Sequence, residues 1–178
     1  MEEKTIKVYK YEELSDEAKQ KALEDYNEYN DYDFLSDILN EDLIQLLEEA
    51  KIENENNDAK LYYSLCNCQG DGVCFEGNFK HKGVNINVKH DGHYYHKNSV
   101  NIEAEQIDDD DDDLKNDVKE AITKEAEADF IKAYDEICDK IEKSGYDEIE
   151  HEQSEEAFKD YCEANERTFL ENGKPDYF

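Results

Sequence analysis

The chain has 178 residues, with 50 Asp and Glu against 20 Lys and Arg, a formal net charge of −30. That length accommodates one domain with a sizeable core, and that charge excludes direct binding to nucleic acid, whose phosphates such a field repels. Low hydropathy with high charge normally marks disorder, but 13 Tyr, 7 Phe and a clear apolar periodicity point to a folded domain with an acidic surface.

Taken in chain order, Thr5–Tyr11 alternates Ile6 and Val8 with lysines and predicts a short strand. Ser15 reads as an N-cap, with Asp16 and Glu17 in the first turn, where the helix dipole favours negative charge. Ala18, Ala22, Tyr26 and Tyr29 follow at helical spacing. A second helix carries the apolar stripe Leu35, Ile38, Leu39, Leu43, Leu46, Leu47 and Ala50. Asn54–Asp58 is polar and predicts a loop.

From Leu61 to Ala104 the pattern changes to short β runs punctuated by Gly. A hairpin must bury Leu61, Tyr63 and Leu65 on the same side as Val73, Phe75 and Phe79. A three-residue loop, Gly70-Asp71-Gly72, meets that condition. It pairs Gln69 with Val73, Tyr63 with Phe79 and Cys68 with Cys74, and puts Gly at the left-handed position. Asp71 is then a turn residue rather than a catalytic acid. The same register gathers Cys66, Cys68, Cys74 and Glu76 on the second face, with His81, His90, His93 and His96 on the same sheet. Thiols so placed raise the question of zinc, but C-x-C with C-x5-C is not a standard knuckle spacing. The expectation is a packed second face and no metal.

Six aspartates, Asp108–Asp113, lack the glycine and the spaced ligands of a calcium loop and predict a self-repelling linker. Leu114, Val118, Ile122, Phe130, Tyr134, Ile137 and Ile141 mark a long helix ending at Gly145. Ser154 caps a last helix with Ala157, Phe158, Tyr161 and Cys162. Asn172-Gly173 is a strong turn dipeptide in the tail Thr168–Phe178. The expected fold is a single α+β domain over 1–178: strand plus helices (1–58), an antiparallel sheet of four to five strands (59–106), then helices and a C-terminal hairpin (107–178).

Charge is distributed unevenly. Residues 1–58 hold 19 acids and 6 bases, residues 59–100 hold 3 and 5, and residues 101–178 hold 28 and 9. Two acidic flanks therefore surround a near-neutral middle. No apolar run approaches the roughly 18 residues of a membrane span, and MEEKTIKVYKYEEL lacks a signal-peptide layout. Five cysteines, an odd number, do not make a complete disulfide framework and fit a reducing cytoplasm.

YKYEELSDEAKQKALEDY at Tyr9–Tyr26, LYYSLCNCQGDGVCFEGNF at Leu61–Phe79, HYYH at His93–His96 and TFLENGK near the end resemble a widespread family of small phage and prophage proteins. Its members carry an ELSxxAKxxA opening, an SQGDGxCFEG centre and a TFxxDG-like end. They are often labelled antitoxin of a toxin–antitoxin stability system. Where relatives have an aromatic residue and Ser before QGDG, this chain has Cys66 and Cys68, and only Cys74 matches.

The functional expectation is a phage-encoded inhibitor acting in the cytoplasm of the bacterial host. It would bind a basic nucleic-acid-binding defence protein, a CRISPR effector or restriction enzyme, by imitating nucleic acid with helix-borne carboxylates. The candidate partner-binding residues are Glu24, Glu28, Asp37, Glu41, Glu48, Glu120, Glu127 and Asp135. An antitoxin masking a toxin is the alternative. A small metal-dependent hydrolase using Cys, His and Asp71 ranks below both, since no P-loop, HExxH or Ser-His-Asp order is present. No enzyme activity, cofactor, metal or membrane partner is expected.

Overall fold

The structure, a computed structural model, describes residues 6–30, 32, 34–54, 56–105 and 116–176. The Asp108–Asp113 run and Leu114 lie outside them. The fold is α+β. The described residues form helices α1 (Asp16–Tyr29), α2 (Leu35–Glu49), α3 (Asn116–Glu152) and α4 (Glu155–Ala164), and strands β1 (Lys60–Ser64), β2 (Gly72–His81), β3 (Val84–His90) and β4 (Val100–Ala104). The chain divides into two compact units, Met1–Asp33 with Asp147–Phe178, and Phe34–Tyr146.

In the first unit Ser15 caps α1 as expected, its Oγ accepting from Ala18 N–H at 3.3 Å, and Ser154 caps α4 through Ala157 N–H at 3.1 Å. Each cap satisfies a backbone donor that the helix leaves unpaired. Tyr11, Leu14, Ala18, Ala22, Phe158, Cys162 and Phe169 form the buried cluster. The Tyr11 and Phe158 rings meet edge to face at 5.1 Å. The strand expected at Thr5–Tyr11 reduces, within the described residues, to one bridge between Tyr9 and Phe169, followed by a 3-10 turn at Tyr11–Glu13. Alternation over so few residues, with Ile6 and Val8 exposed, gives no buried face to hold a ladder. The C-terminal hairpin is likewise a single bridge, Phe169 with Pro175, around the Asn172-Gly173 turn.

In the second unit Leu35, Leu39, Leu43 and Leu47 form the buried stripe of α2. Each such side chain contributes about 1.5–3 kcal/mol on burial. The sheet runs β1-β2-β3-β4, antiparallel throughout. Its buried face presents Val73, Phe75, Phe79, Val84, Ile86 and Val88. Phe130 and Tyr134 of α3 pack there, with Tyr134 4.3 Å from the Phe75 ring and Phe130 5.7 Å from Phe79.

Two expectations are corrected here. Tyr63 pairs with Val73, not with Phe79, six residues further along β2, so the connection is seven residues long (65–71) rather than three. Six is an even displacement, and side chains alternate with period two. The expected face assignment therefore survives the change of register. Second, α3 does not stop at Gly145 but continues to Glu152. Gly145 is buried, and a Cβ there would run into Leu65 Cδ1, with Leu39 close behind. The glycine permits close approach rather than ending the helix.

Candidate functional site

The β1–β2 loop is organised by one carboxylate. Asp71 Oδ2 accepts from the backbone N–H of Cys66 (2.7 Å) and Cys68 (2.9 Å) and from the Tyr146 hydroxyl (3.2 Å). Its Oδ1 accepts from Ser64 Oγ (2.8 Å) and from the thiols of Cys68 (3.1 Å) and Cys66 (3.3 Å). This explains the register: a tight hairpin would leave Asp71 facing water, whereas the longer loop gives the carboxylate six donors. Asn67 sits at φ 56°, a left-handed position that Asn tolerates, and lets the chain fold back over Asp71.

Partial desolvation raises the Asp71 carboxyl. The hydrogen bonds from the Cys68 backbone and thiol, Ser64 and Cys66 outweigh it and hold the group well below the usual carboxylate range. The Cys68 thiol is pushed up to about 12 by its contact with Cys66 and by Asp71. Burial, then Asp71, raises the Tyr146 hydroxyl, which keeps it a donor.

The two thiols are exposed and lie 3.0 Å apart. The Sγ atoms of Cys66 and Cys68 and an Asp71 oxygen all fall within 4.8 Å of one another. Cys74 does not join them, contrary to the expected second-face cluster. It is a buried strand residue opposite Tyr62, and burial pushes its thiol up to about 12. His93 and His96 are not on the sheet either but in the β3–β4 connection. That connection closes over the loop: the Tyr94 ring lies against Gly70, and Tyr95 and His96 lie against Gly72. Tyr62 stacks on His90 at 4.7 Å and hydrogen-bonds Glu76.

His81 is buried on β2, its Nε2 3.1 Å from Asp129, which Lys82 also reaches at 3.0 Å. In the first unit a cleft of about 900 Å³ is lined by Lys21, Tyr26, Tyr29, Tyr161, Arg167 and Lys174, among others.

The eight acidic candidates fall into three settings. Glu24 and Glu28 are exposed on α1, Glu24 accepting from Gln20 at 2.9 Å. Asp37, Glu41 and Glu48 are exposed on α2, opposite its leucine stripe. On α3, Glu120 is exposed but paired with Lys124 at 2.5 Å, and Glu127 is half-buried and accepts from Ala104 N–H at 3.4 Å. Asp135 is half-buried, near Lys97, which pairs with Asp139 at 2.6 Å. Sequence reasoning missed Ser64, which stands within the Leu61–Phe79 stretch but carries no signal of its own, and Tyr146, which has no motif around it.

Among the described residues no helix is long and apolar enough to cross a membrane. No family model matches the chain, and neither a curated protein nor a solved structure does.

Proposed function

We propose that the protein is a phage-encoded binder. It inhibits a bacterial nucleic-acid-binding defence protein, a CRISPR effector or restriction enzyme, by occupying its basic surface, and it does so in the host cytoplasm without enzymatic chemistry. The phage setting comes from the motif resemblance. The binding reading rests on the outer face of α2. Asp37, Glu41, Ile44 and Glu48 recur at i, i+4, i+7 and i+11, a stripe about 16 Å long at about 1.5 Å per residue. Ile44 in that stripe is 59% exposed, and Phe34 at the helix start is 76% exposed. Ile44 and Phe34 set open apolar side chains among those carboxylates, and an acidic binding face uses such anchors, because exposed charge pairs contribute only about 0–1 kcal/mol each.

The test is capture from a bacterial host lysate, followed by binding of the retained protein from about 50 to about 500 mM salt, with and without competing DNA or RNA. Binding that weakens as salt rises and is displaced by nucleic acid is the expected result. Salt-insensitive binding alongside bound nucleic acid overturns mimicry. Retention of a toxin encoded beside this gene favours the antitoxin alternative.

A further inference from the structure

We propose that Cys66, Cys68 and Asp71 bind a thiophilic divalent cation of the zinc class, with two thiolates and one carboxylate oxygen as ligands and water as the fourth.

The donor chemistry selects the ion. Calcium and magnesium take six or more oxygens, and two sulfurs in three ligands exclude them, whereas Cys thiolate with carboxylate suits zinc. The geometry is close to that required. Tetrahedral coordination with bonds of about 2.3 Å to sulfur and about 2.0 Å to oxygen separates the two sulfurs by about 3.8 Å and each sulfur from the oxygen by about 3.5 Å. The corresponding distances are 3.0 Å for the sulfurs, and 3.3 and 3.1 Å from Asp71 Oδ1 to Cys66 and Cys68. Both cysteines are exposed, so their side chains can open by the remaining distance, about 0.8 Å between the sulfurs and about 0.2–0.4 Å to the oxygen, without disturbing a core.

The surroundings support the ligands. Asp71 Oδ2 is tied by Cys66 N–H, Cys68 N–H and the Tyr146 hydroxyl, and this fixes the carboxylate with Oδ1 turned to the thiols. Hydrogen bonds from behind a ligand orient it and are usual at metal sites. Ser64 Oγ can keep its hydrogen bond to Oδ1 when the thiol protons leave. Exposure of the thiols leaves room for the water. Binding exchanges two thiol protons for one dication, which takes the three-ligand set from one negative charge to one negative charge, with no redox step. The expectation of no metal addressed a cluster containing Cys74. The structure puts Asp71 in that place.

The test uses the reduced full-length chain and no partner, so its outcome is independent of the inhibitor reading. Excess Mg2+ saturates the acidic surface, and Co2+ is then titrated while the sulfur-to-cobalt charge-transfer band is followed. The expected result is saturation at one cobalt per chain and displacement by Zn2+. The band should be lost in Cys66→Ser/Cys68→Ser and unchanged in Cys74→Ala, and affinity should fall about tenfold or more in Asp71→Asn. Far-ultraviolet circular dichroism checks that each variant is folded. Absence of the band in the reduced wild type overturns the site, as does its persistence in Cys66→Ser/Cys68→Ser. Asp71→Asn binding as tightly as wild type removes the carboxylate from the ligand set and overturns the proposal as stated.

Discussion

The hydroxyl of Tyr134 on α3 accepts from the backbone N–H of Phe75 at 3.0 Å and donates to the backbone C=O of the same residue at 3.1 Å. One side-chain group thus satisfies both polar atoms of a buried β2 residue, and burial pushes the hydroxyl far above the usual tyrosine range, so it remains a donor. Tyr134→Phe keeps the ring contact and removes the hydroxyl. The expected cost is about 1–3 kcal/mol for buried backbone groups left unpaired. It should be read as a lower urea midpoint with an unchanged m-value. A midpoint equal to wild type would show that the bracket contributes nothing.

Gly145 gives a second test of how α3 meets its unit. Alanine there gains about 0.8–1 kcal/mol of helix propensity. It also drives a Cβ into Leu65 Cδ1, with Leu39 behind it, and overpacking costs about 1–3 kcal/mol. The packing effect should win, so Gly145→Ala is expected to destabilise. Adding Leu65→Ala should recover part of that loss, giving a coupling of about 0.5 kcal/mol or more in a double-mutant cycle. Additive losses would separate the two residues.

These contacts mark the boundary of what the residue pattern discloses. Helices α1, α2 and α4 are legible because their signals are local: Ser15 and Ser154 are caps, and Leu35, Leu39, Leu43 and Leu47 form a periodic stripe. Which sheet face is buried is legible because alternation is indifferent to an even shift of register. The register itself is not, because Asp71 sets it by reaching back to Cys66 and Cys68 and counting glycines in a turn misses that. The candidate site is half legible for the same reason. Its two cysteines and Asp71 stand in one short stretch, but Tyr146 arrives from 75 residues downstream.

The Asp71 carboxylate makes a pH prediction. Its folded pKa is depressed, so the loop's stabilisation is fully present above the ordinary aspartate value of about 3.9 and is lost as pH falls through the lower folded value. The amide protons of Cys66 and Cys68 report it directly. In metal-free protein their NMR shifts should stay constant down to about pH 4 and move only below it. In Asp71→Asn that step should be absent, while the titration of the other acids continues. A step centred at or above the ordinary aspartate value would show that the donors do not hold the charged form.

The α2 face supplies the mutational test of the proposed binding. Asp37→Lys/Glu41→Lys/Glu48→Lys exchanges three exposed carboxylates for cations on the face opposite the leucine stripe. Stability should change little, since exposed substitutions away from special features usually stay within about 0.5 kcal/mol each. Binding to the captured target should fall steeply, chiefly through slower association at low salt. Ile44→Ala and Phe34→Ala should each raise the dissociation rate more than any single carboxylate neutralisation, because truncation of a desolvated anchor costs about 2 kcal/mol or more where a rim charge costs less. Glu127→Gln should leave binding unaltered, because that carboxylate already accepts from Ala104 N–H in β4. Surface plasmon resonance on immobilised target separates the association and dissociation rates. Unaltered association in the triple lysine variant, with the variant folded, would exclude the α2 face as the binding surface and leave the exposed Glu24 and Glu28 of α1 as the carboxylates to reverse next.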